Sequence, residues 1–537
     1  MKAALRNFIN DIGKKKNFWV PVALLTIIAY GFSATNRTVS VDNLATDIYF
    51  GSGNAMLAGM RWGMLLWAKI CATWIFMPFL QKFIGVCFLA CGASILACVF
   101  YDLRRGGSVW SYAIFTSAMI TYPLINEISE YGAILVVGGN VFLGAVTILF
   151  IVTSQKKGWQ KILVSALPLT IIVSSYESCA FFYISAVCIY IFCKHIIIKD
   201  ARSRFQWIKE GISFAIPLIF AVVLRVLIGV FLIRMFGLEY TSNGATTISW
   251  GTDNIRAIIG SLINTTITMY GIDALLYFPL TIFVIAAIIF VIGIVVLAIR
   301  QKRFLPIILG VIVLVSLFFQ SIIQGTVMPY RTAQTLSLFT AFVLAYIVEL
   351  GLTAKNKGIR LVPLMVVLCL CAHQSIYLHR ILALNNQRSD NEIAVVHQLG
   401  YRLESEFDHK TIVFVGKYDI GRWISSQIKP DTNTIGGRIY KFIWNNINDE
   451  FDVENEEFVD TNVNSLLNWA SGAFESQKMM REVFSYCGYD IQVLDVFSQD
   501  DRNRYEQIAI ERGMRPFEIA DIGECILVCL GNISVQK

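Results

Sequence analysis

The feature that most constrains this chain is a succession of apolar stretches, each about as long as a bilayer is thick. A hydrocarbon core needs roughly 20 apolar residues per helix, and that criterion marks candidate spans at about 18–34, 82–101, 108–124, 132–153, 162–175, 179–193, 211–233, 274–299, 304–323, 333–352 and 361–378. Hydrophobic residues make up 56% of the 537, and charged residues only 15%. A soluble surface needs more charge than that to cover it. The expected fold is an all-α polytopic membrane domain of about 11 transmembrane helices. The stretch from about 62 to 80 is apolar but ends in "MPFLQK", and it reads as lying along the membrane interface.

Orientation follows from the basic residues. Lys14, Lys15 and Lys16 precede the first span. Arg104 and Arg105 follow the second, and Lys156, Lys157 and Lys161 follow the fourth. Lys194 to Lys209, then Arg300, Lys302 and Arg303, then Lys355, Lys357 and Arg360 continue the series. Every second loop is basic, which puts the N-terminus in the cytoplasm and the opening loop on the outer face, together with everything after the last span. The net charge of +7 reflects this bias and gives no reason to propose nucleic acid. No small-residue cleavage site follows the first apolar core, so the first span reads as an uncleaved anchor.

From about residue 385 the composition turns polar, which divides the chain into a membrane domain over 1–384 and a C-terminal α/β domain over 385–537. "NNQRSDNEIAVVHQLGYRLESEFDHK" has a helical apolar rhythm, and "TIVFVGKYD" reads as a short buried strand. Helical stretches near 462–486 and 498–512 precede the β-rich "FEIADIGECILVCLG". Of the 12 cysteines, Cys487, Cys525 and Cys529 fall in this outer region. A disulfide is chemically allowed there, and the odd number leaves its pairing open. The histidines are scattered and no CxxC pair occurs, so neither a metal site nor any cofactor is called for.

The candidate chemistry sits in the outer loops. "NRTVSVDNLATDIYFGSGNAMLAGMRWG" carries Asp42 and Asp47 just beyond the first span. A carboxylate there can accept a proton from an incoming hydroxyl. Asp42 equally suits a helix N-cap, a role open to Ser40 and Asn43 as well. Arg225 interrupts the apolar run "ISFAIPLIFAVVLRVLIGVFLIRMF", and a charge inside a span usually faces a polar cavity or a partner. Arg61 stands beside Trp62, and Arg331 follows a proline in "MPYRTAQ". Guanidinium forks suit phosphate, although each arginine alone also serves as a headgroup anchor. Glu127 and Glu130 in "NEISEYG" and Glu177 in "SSYESC" add acids to the same layer, with Tyr131 and Tyr176 as faces for a sugar. The bland alternative is hydration of short turns. Trp62 and Trp67 fit an aromatic belt equally well.

The order of these parts resembles the serotype-converting bacterial O-antigen glucosyltransferases, polytopic members of the GT-C superfamily. The similar pieces are "AYGFSATN", "VSVDN", "GMRW", the "NEISEYG" and "YES" turns, "MPYRT", and a late "VGKYDIGRW...IGGRIYKFIW". The family's acidic pair after the first span is matched in its first member by Asp42; Asn43 stands at the second. Its Gly-Arg-Trp is interrupted by Met60. The resemblance implies an inverting transferase in the bacterial inner membrane, taking a hexose from a polyprenyl-phosphate donor to a polysaccharide or O-antigen acceptor at the periplasmic face. Asp42 would be the base, with Asp47 and Glu127 as runners-up. Arg61, Arg225 and Arg331 would hold the phosphate, and Tyr176, Glu177 and Trp62 the sugar or acceptor. Implied partners are the lipid bilayer, a small flippase and a donor-synthesising glycosyltransferase.

Three rivals compete with this reading. A transporter or flippase of lipid-linked glycans would need midplane charges reachable from both sides, and usually repeat symmetry. Only Arg225 is clearly that deep in the sequence, and the polar inventory is one-sided. A scaffold of an envelope polysaccharide machine would tolerate loss of the loop acids. Transfer of another group from the same carrier, such as an aminosugar or phosphoglycerol unit, would use the same residues.

Overall fold

Hydrocarbon offers backbone groups no water to bond with, so an apolar segment must close its hydrogen bonds upon itself as a helix. Each expected span does so in the computed structural model of the chain. The structure describes residues 1–36, 53–71, 78–104, 106–125, 128–129, 133–155, 158–198, 205–241, 248–251, 254–275, 278–328, 330–407, 410–416, 435–447, 477–494, 498–531 and 533. The elements used below are α1 (Lys16–Thr35), α2 (Asn54–Ala58), α3 (Trp62–Ile70), α4 (Pro78–Arg104), α5 (Val109–Ile120), α6 (Ile134–Thr153), α7 (Trp159–Ser175), α8 (Ser178–Phe192), α9 (Gln206–Met235), α10 (Phe278–Gln301), α11 (Leu305–Leu317), α12 (Gln334–Leu352) and α13 (Lys357–Glu406). Among the described residues, eight are long and apolar enough to cross a membrane: α1, α4, α6, α8, α9, α10, α12 and α13. The apolar helices containing α5, α7 and α11 are shorter.

The chain forms two compact units. The first holds Met1–Thr35, Gly53–Arg380 and the described part of Asp431–Phe451. The second holds the described parts of Asn36–Ser52, Ile381–Pro430 and Asp452–Lys537.

Within the first unit, the tightest helix contact depends on residues without side chains. A Cβ placed on Gly138 of α6 would lie 2.2 Å from the Gly85 carbonyl oxygen of α4, and one on Gly85 would lie 2.7 Å from the Ile134 oxygen. Helices in lipid gain little from hydrophobicity between them, so small residues that let backbones touch are what hold them together. The next residue, Gly139, makes room for the Trp67 ring of α3, which would come within 2.6 Å of a Cβ there. Asn140 then accepts the Trp67 indole N–H at 3.0 Å. The tripeptide Gly138-Gly139-Asn140 thus fastens both α3 and α4 to α6. Trp67 is therefore buried, and one face of α3 packs on the bundle because its indole finds its acceptor there.

The bundle has two chemically distinct ends. At one, Glu349 of α12 pairs with Arg104 at 3.0 Å and accepts from the Ser108 backbone N–H and the Ser111 hydroxyl at the start of α5. Glu210 at the start of α9 pairs with Lys194 at 2.6 Å and meets His195 at 3.0 Å. At the other end, the Tyr30 hydroxyl of α1 donates to the Ile120 carbonyl at 2.7 Å, and α4 begins beside Ser33.

The second unit is built on β1 (Ile412–Val415), β2 (Ile519–Asp521) and β3 (Ile526–Cys529) in the order β1-β3-β2. β1 runs parallel to β3, with Ile412 opposite Ile526, and β2 runs antiparallel to it. Val396, Leu399 and Leu403 from the last turns of α13 pack on one face with Phe414, Met480, Phe484, Ile526 and Val528. Tyr505 and Ala509, on α15 (Gln499–Glu511), which follows α14 (Gln477–Tyr486), pack on Val413, Val415 and Leu527. Arg388, only 1% exposed, pairs with Glu392 one turn along at 3.1 Å. All twelve cysteines are free, Cys487, Cys525 and Cys529 included.

If the Gly138 contact fixes the bundle, Gly138→Leu will sharply lower the thermal unfolding midpoint of the detergent-solubilised protein. Gly293→Leu on α10, where a Cβ meets nothing within 4 Å, will leave it unchanged. Equal midpoints for the two variants would remove the contact from its central role.

Candidate active site

The site begins at the end of α2. Arg61 N–H bonds to the Met56 carbonyl at 2.7 Å and Met60 N–H to Leu57 at 2.9 Å, the paired bonds of a Schellman close. The left-handed residue that such a close requires is Met60, at φ 56. Glycine is the usual choice there because a side chain is strained at positive φ. The Met60 side chain has a use, however: it rests on α9, with its Cγ 3.0 Å from where a Gly229 Cβ would be. That turn sends the next residue, Arg61, toward the same stretch of α9. Arg225 lies one turn before Gly229, on the same helical face.

The third member comes from the break between α7 and α8. The chain leaves α7 at Tyr176, where the backbone is extended (φ −146, ψ 111). The carbonyls of Tyr176 and Glu177 then accept from Cys179 and Ala180 as α8 starts. α3 is seated directly on the last turn of α7: a Cβ on Gly63 would meet the Ser175 and Ser174 hydroxyls at 2.4 and 2.5 Å. Arg61 and Glu177 are thereby brought together from opposite sides of one contact.

Glu177 is shared. Arg225 Nη2 donates to its Oε1 at 2.7 Å and Arg61 Nη2 to its Oε2 at 3.3 Å. The three side chains keep 19%, 17% and 20% of their surface for Arg225, Arg61 and Glu177. Two cations face one anion, which leaves the cluster a net positive charge. Two buried donors, Arg61 Nε and Nε1 of the next residue Trp62, have no hydrogen-bond partner among the described residues. Buried N–H groups are nearly always satisfied, and leaving one bare costs about 1–3 kcal/mol. A cationic cluster with unmet donors suits an oxygen-rich anion, and the guanidinium geometry suits phosphate.

Of the residues singled out in the sequence, the structure gathers Arg61, Glu177 and Arg225, with Trp62 next to Arg61 and half-buried Tyr176 next to Glu177 in the chain. Arg331 lies in the turn Tyr330–Thr332, and its side chain lies outside the described residues. So do Asp42, Asp47 and Glu127, and also Glu130 and Tyr131. Among the described residues no three His, Cys, Asp or Glu side chains come together as a metal site. Sequence reasoning missed Met60 and Gly229 as the pair that aims Arg61. It also missed Lys82, which is buried although it looks like an interfacial lysine. The unusual Gly-Met order before Arg61 was the available signal for the first.

The profile of a family described as Glucosyl transferase GtrII matches residues 31–381, a range that contains every member of the cluster. No curated protein and no solved structure matches the chain.

The shared carboxylate predicts coupling. In a double-mutant cycle of Arg225→Met with Glu177→Gln, read by unfolding of the solubilised protein, the two changes should be non-additive by about 1–2 kcal/mol, as expected for a partly exposed charged hydrogen bond. Strict additivity would mean the pair is not made.

Proposed function

Because the chain belongs to the GtrII glucosyl transferase family, it is a glycosyltransferase with membrane-spanning helices, and we propose that it moves a hexose, glucose in the first instance, from a polyprenyl-phosphate carrier to a polysaccharide or O-antigen acceptor. The observation that carries this reading is the convergence of Arg61 and Arg225 on Glu177 beside two unsatisfied donors. Those groups belong where a phosphate oxygen arrives.

The proposed reaction follows from charge. The acceptor hydroxyl attacks the anomeric carbon, and its oxygen forms the new bond as the bond from that carbon to the phosphate oxygen breaks. The hydroxyl proton passes to a carboxylate, for which Asp42 is proposed, with Asp47 and Glu127 as runners-up. Attack opposite the leaving phosphate inverts the centre. The carrier phosphate enters as a diester with one negative charge and leaves as a monoester carrying an additional one. A cationic cluster therefore gains more from the departing phosphate than from the bound donor, and only such a difference accelerates the step. Glu177 holds the two guanidiniums at a fixed separation so that no reorganisation is needed when that charge develops. Arg331 is proposed as a further phosphate contact, and Tyr176 and Trp62 as faces for the sugar.

The proposed setting is the bacterial inner membrane, with the N-terminus in the cytoplasm and all of α1 and α4 to α13, the shorter helices included, crossing. The Glu349 and Glu210 end then faces inward. The Glu177 end and the C-terminal domain face the periplasm, where that domain helps to seat a glycan. A small flippase and a donor-synthesising glycosyltransferase are the proposed partners.

Membranes carrying the protein and supplied with polyprenyl-phosphate glucose should form a covalent glucosyl product, and Asp42→Asn should lower its rate by about a hundredfold or more, the scale of lost general-base catalysis. Full transfer by Asp42→Asn would overturn the choice of base. Movement of the carrier across liposomes with no product at all would replace the transferase by a flippase.

A further inference from the structure

One buried cation in the first unit is left out of the proposed reaction. Lys82 lies in the opening turns of α4 and is 4% exposed. Its ammonium donates to the Ser33 hydroxyl at 3.0 Å and to the Ser33 carbonyl at 3.2 Å. Both acceptors are neutral. Among the described residues no carboxylate lies within ion-pair distance of it, in contrast with Arg61, Arg104, Lys194, Arg225 and Arg388, each paired with a glutamate.

That arrangement is costly in itself. A buried charge without a counter-ion is disfavoured, and a lysine near the end of a membrane helix normally extends its flexible stem to reach water. Lys82 does the opposite. Its neighbours Phe79 and Phe83 stack on each other at 5.7 Å and are both more than half exposed, so the aromatic side of this turn faces outward and the ammonium faces inward. An ammonium has three donors, and Ser33 takes two. Among the described residues the third donor and the charge are unanswered, and an anionic oxygen answers both.

We propose that Lys82 is a phosphate-binding residue, positioned by Ser33, whose missing counter-ion is the phosphate of a lipid. The phosphate would reach it from the bilayer past the Phe79–Phe83 face, at the end of the bundle opposite Arg104. A lysine serves this purpose as a point charge. The identification of that lipid as the polyprenyl-phosphate carrier rests on the transferase reading. The contact between ammonium and phosphate does not.

The test uses the full chain in phosphatidylcholine nanodiscs, with polyprenyl phosphate as the probe and phosphatidylglycerol as a second arm. Lys82→Met should weaken polyprenyl phosphate binding by about tenfold or more, and Lys82→Arg should restore most of it, as expected for a charge-assisted contact. Ser33→Ala should weaken it less. A parallel loss of phosphatidylglycerol affinity would mean that the residue takes lipid phosphates in general; loss confined to polyprenyl phosphate identifies the carrier. If Lys82→Met does not fold, Lys82→Gln replaces it, since an amide keeps a donor for Ser33 and removes only the charge. Unchanged affinity for both lipids in a variant that unfolds at the wild-type temperature overturns the proposal. Wild-type protein that binds polyprenyl phosphate through Lys82 but transfers no sugar would remove the transferase reading and leave this one standing.

Discussion

One carboxylate, Glu177, makes it possible for two guanidiniums to sit in a bundle otherwise made of hydrocarbon. Arg225 lies within α9, a helix whose surroundings are apolar, and a lone charge there costs about 2.5–3.5 kcal/mol on insertion scales. Pairing with Glu177 at 2.7 Å offsets that cost, and the second oxygen of the same group reaches Arg61. Three separate parts of the chain meet at this carboxylate: the turn after α2, the break between α7 and α8, and the middle of α9. None of them can move far without leaving a charge unpaired. That is a strong positional restraint, because breaking a buried pair by removing one partner exacts a larger penalty than the pair itself returns.

The same economy governs the other end of the bundle, with a different outcome. Glu349 and Glu210 have their oxygens occupied by Arg104, Ser108, Ser111, Lys194 and His195. Those clusters are saturated on the carboxylate side and tie helices together. The Glu177 cluster is saturated on its anion but leaves the donors Arg61 Nε and Trp62 Nε1 bare. The Glu349 and Glu210 clusters thus have their acceptors filled, whereas the Glu177 cluster keeps donors to spare, which are what the proposed phosphate would use.

Much of this was legible in the sequence, and what was not has a common cause. Hydropathy identified the helical segments because burial in lipid is an additive property of single residues. The α/β C-terminal region was readable for a similar reason: alternation and turn residues are local. Arg225 and Glu177 drew notice because charges in apolar runs are rare. The misses are all relational. Trp67 looked like a belt residue because nothing in its own neighbourhood announces that Asn140, 73 positions later, accepts its indole. Gly138 and Gly139 look like ordinary small residues until the partner backbone and ring are placed against them. Met60 breaks the expectation that a left-handed helix close carries glycine, and only the contact with α9 explains why a long side chain is worth the strain.

Arg388 and Lys82 sharpen the point about charge. Both look like surface residues in the sequence, and both are buried. Arg388 carries its own counter-ion one turn along the same helix, so its burial is explained by local sequence once the helix is known. Among the described residues Lys82 has only Ser33, which is neutral and comes from another helix. Of the two buried cations among the described residues, Arg388 is set against a carboxylate and Lys82 against a hydroxyl, so the second is treated differently. In a medium where an unmatched charge is penalised whenever the site is empty, such a difference persists when the site spends its working life filled. The chemistry that fills it has to bring negative charge from within the bilayer, and a lipid phosphate is the ordinary carrier of such charge.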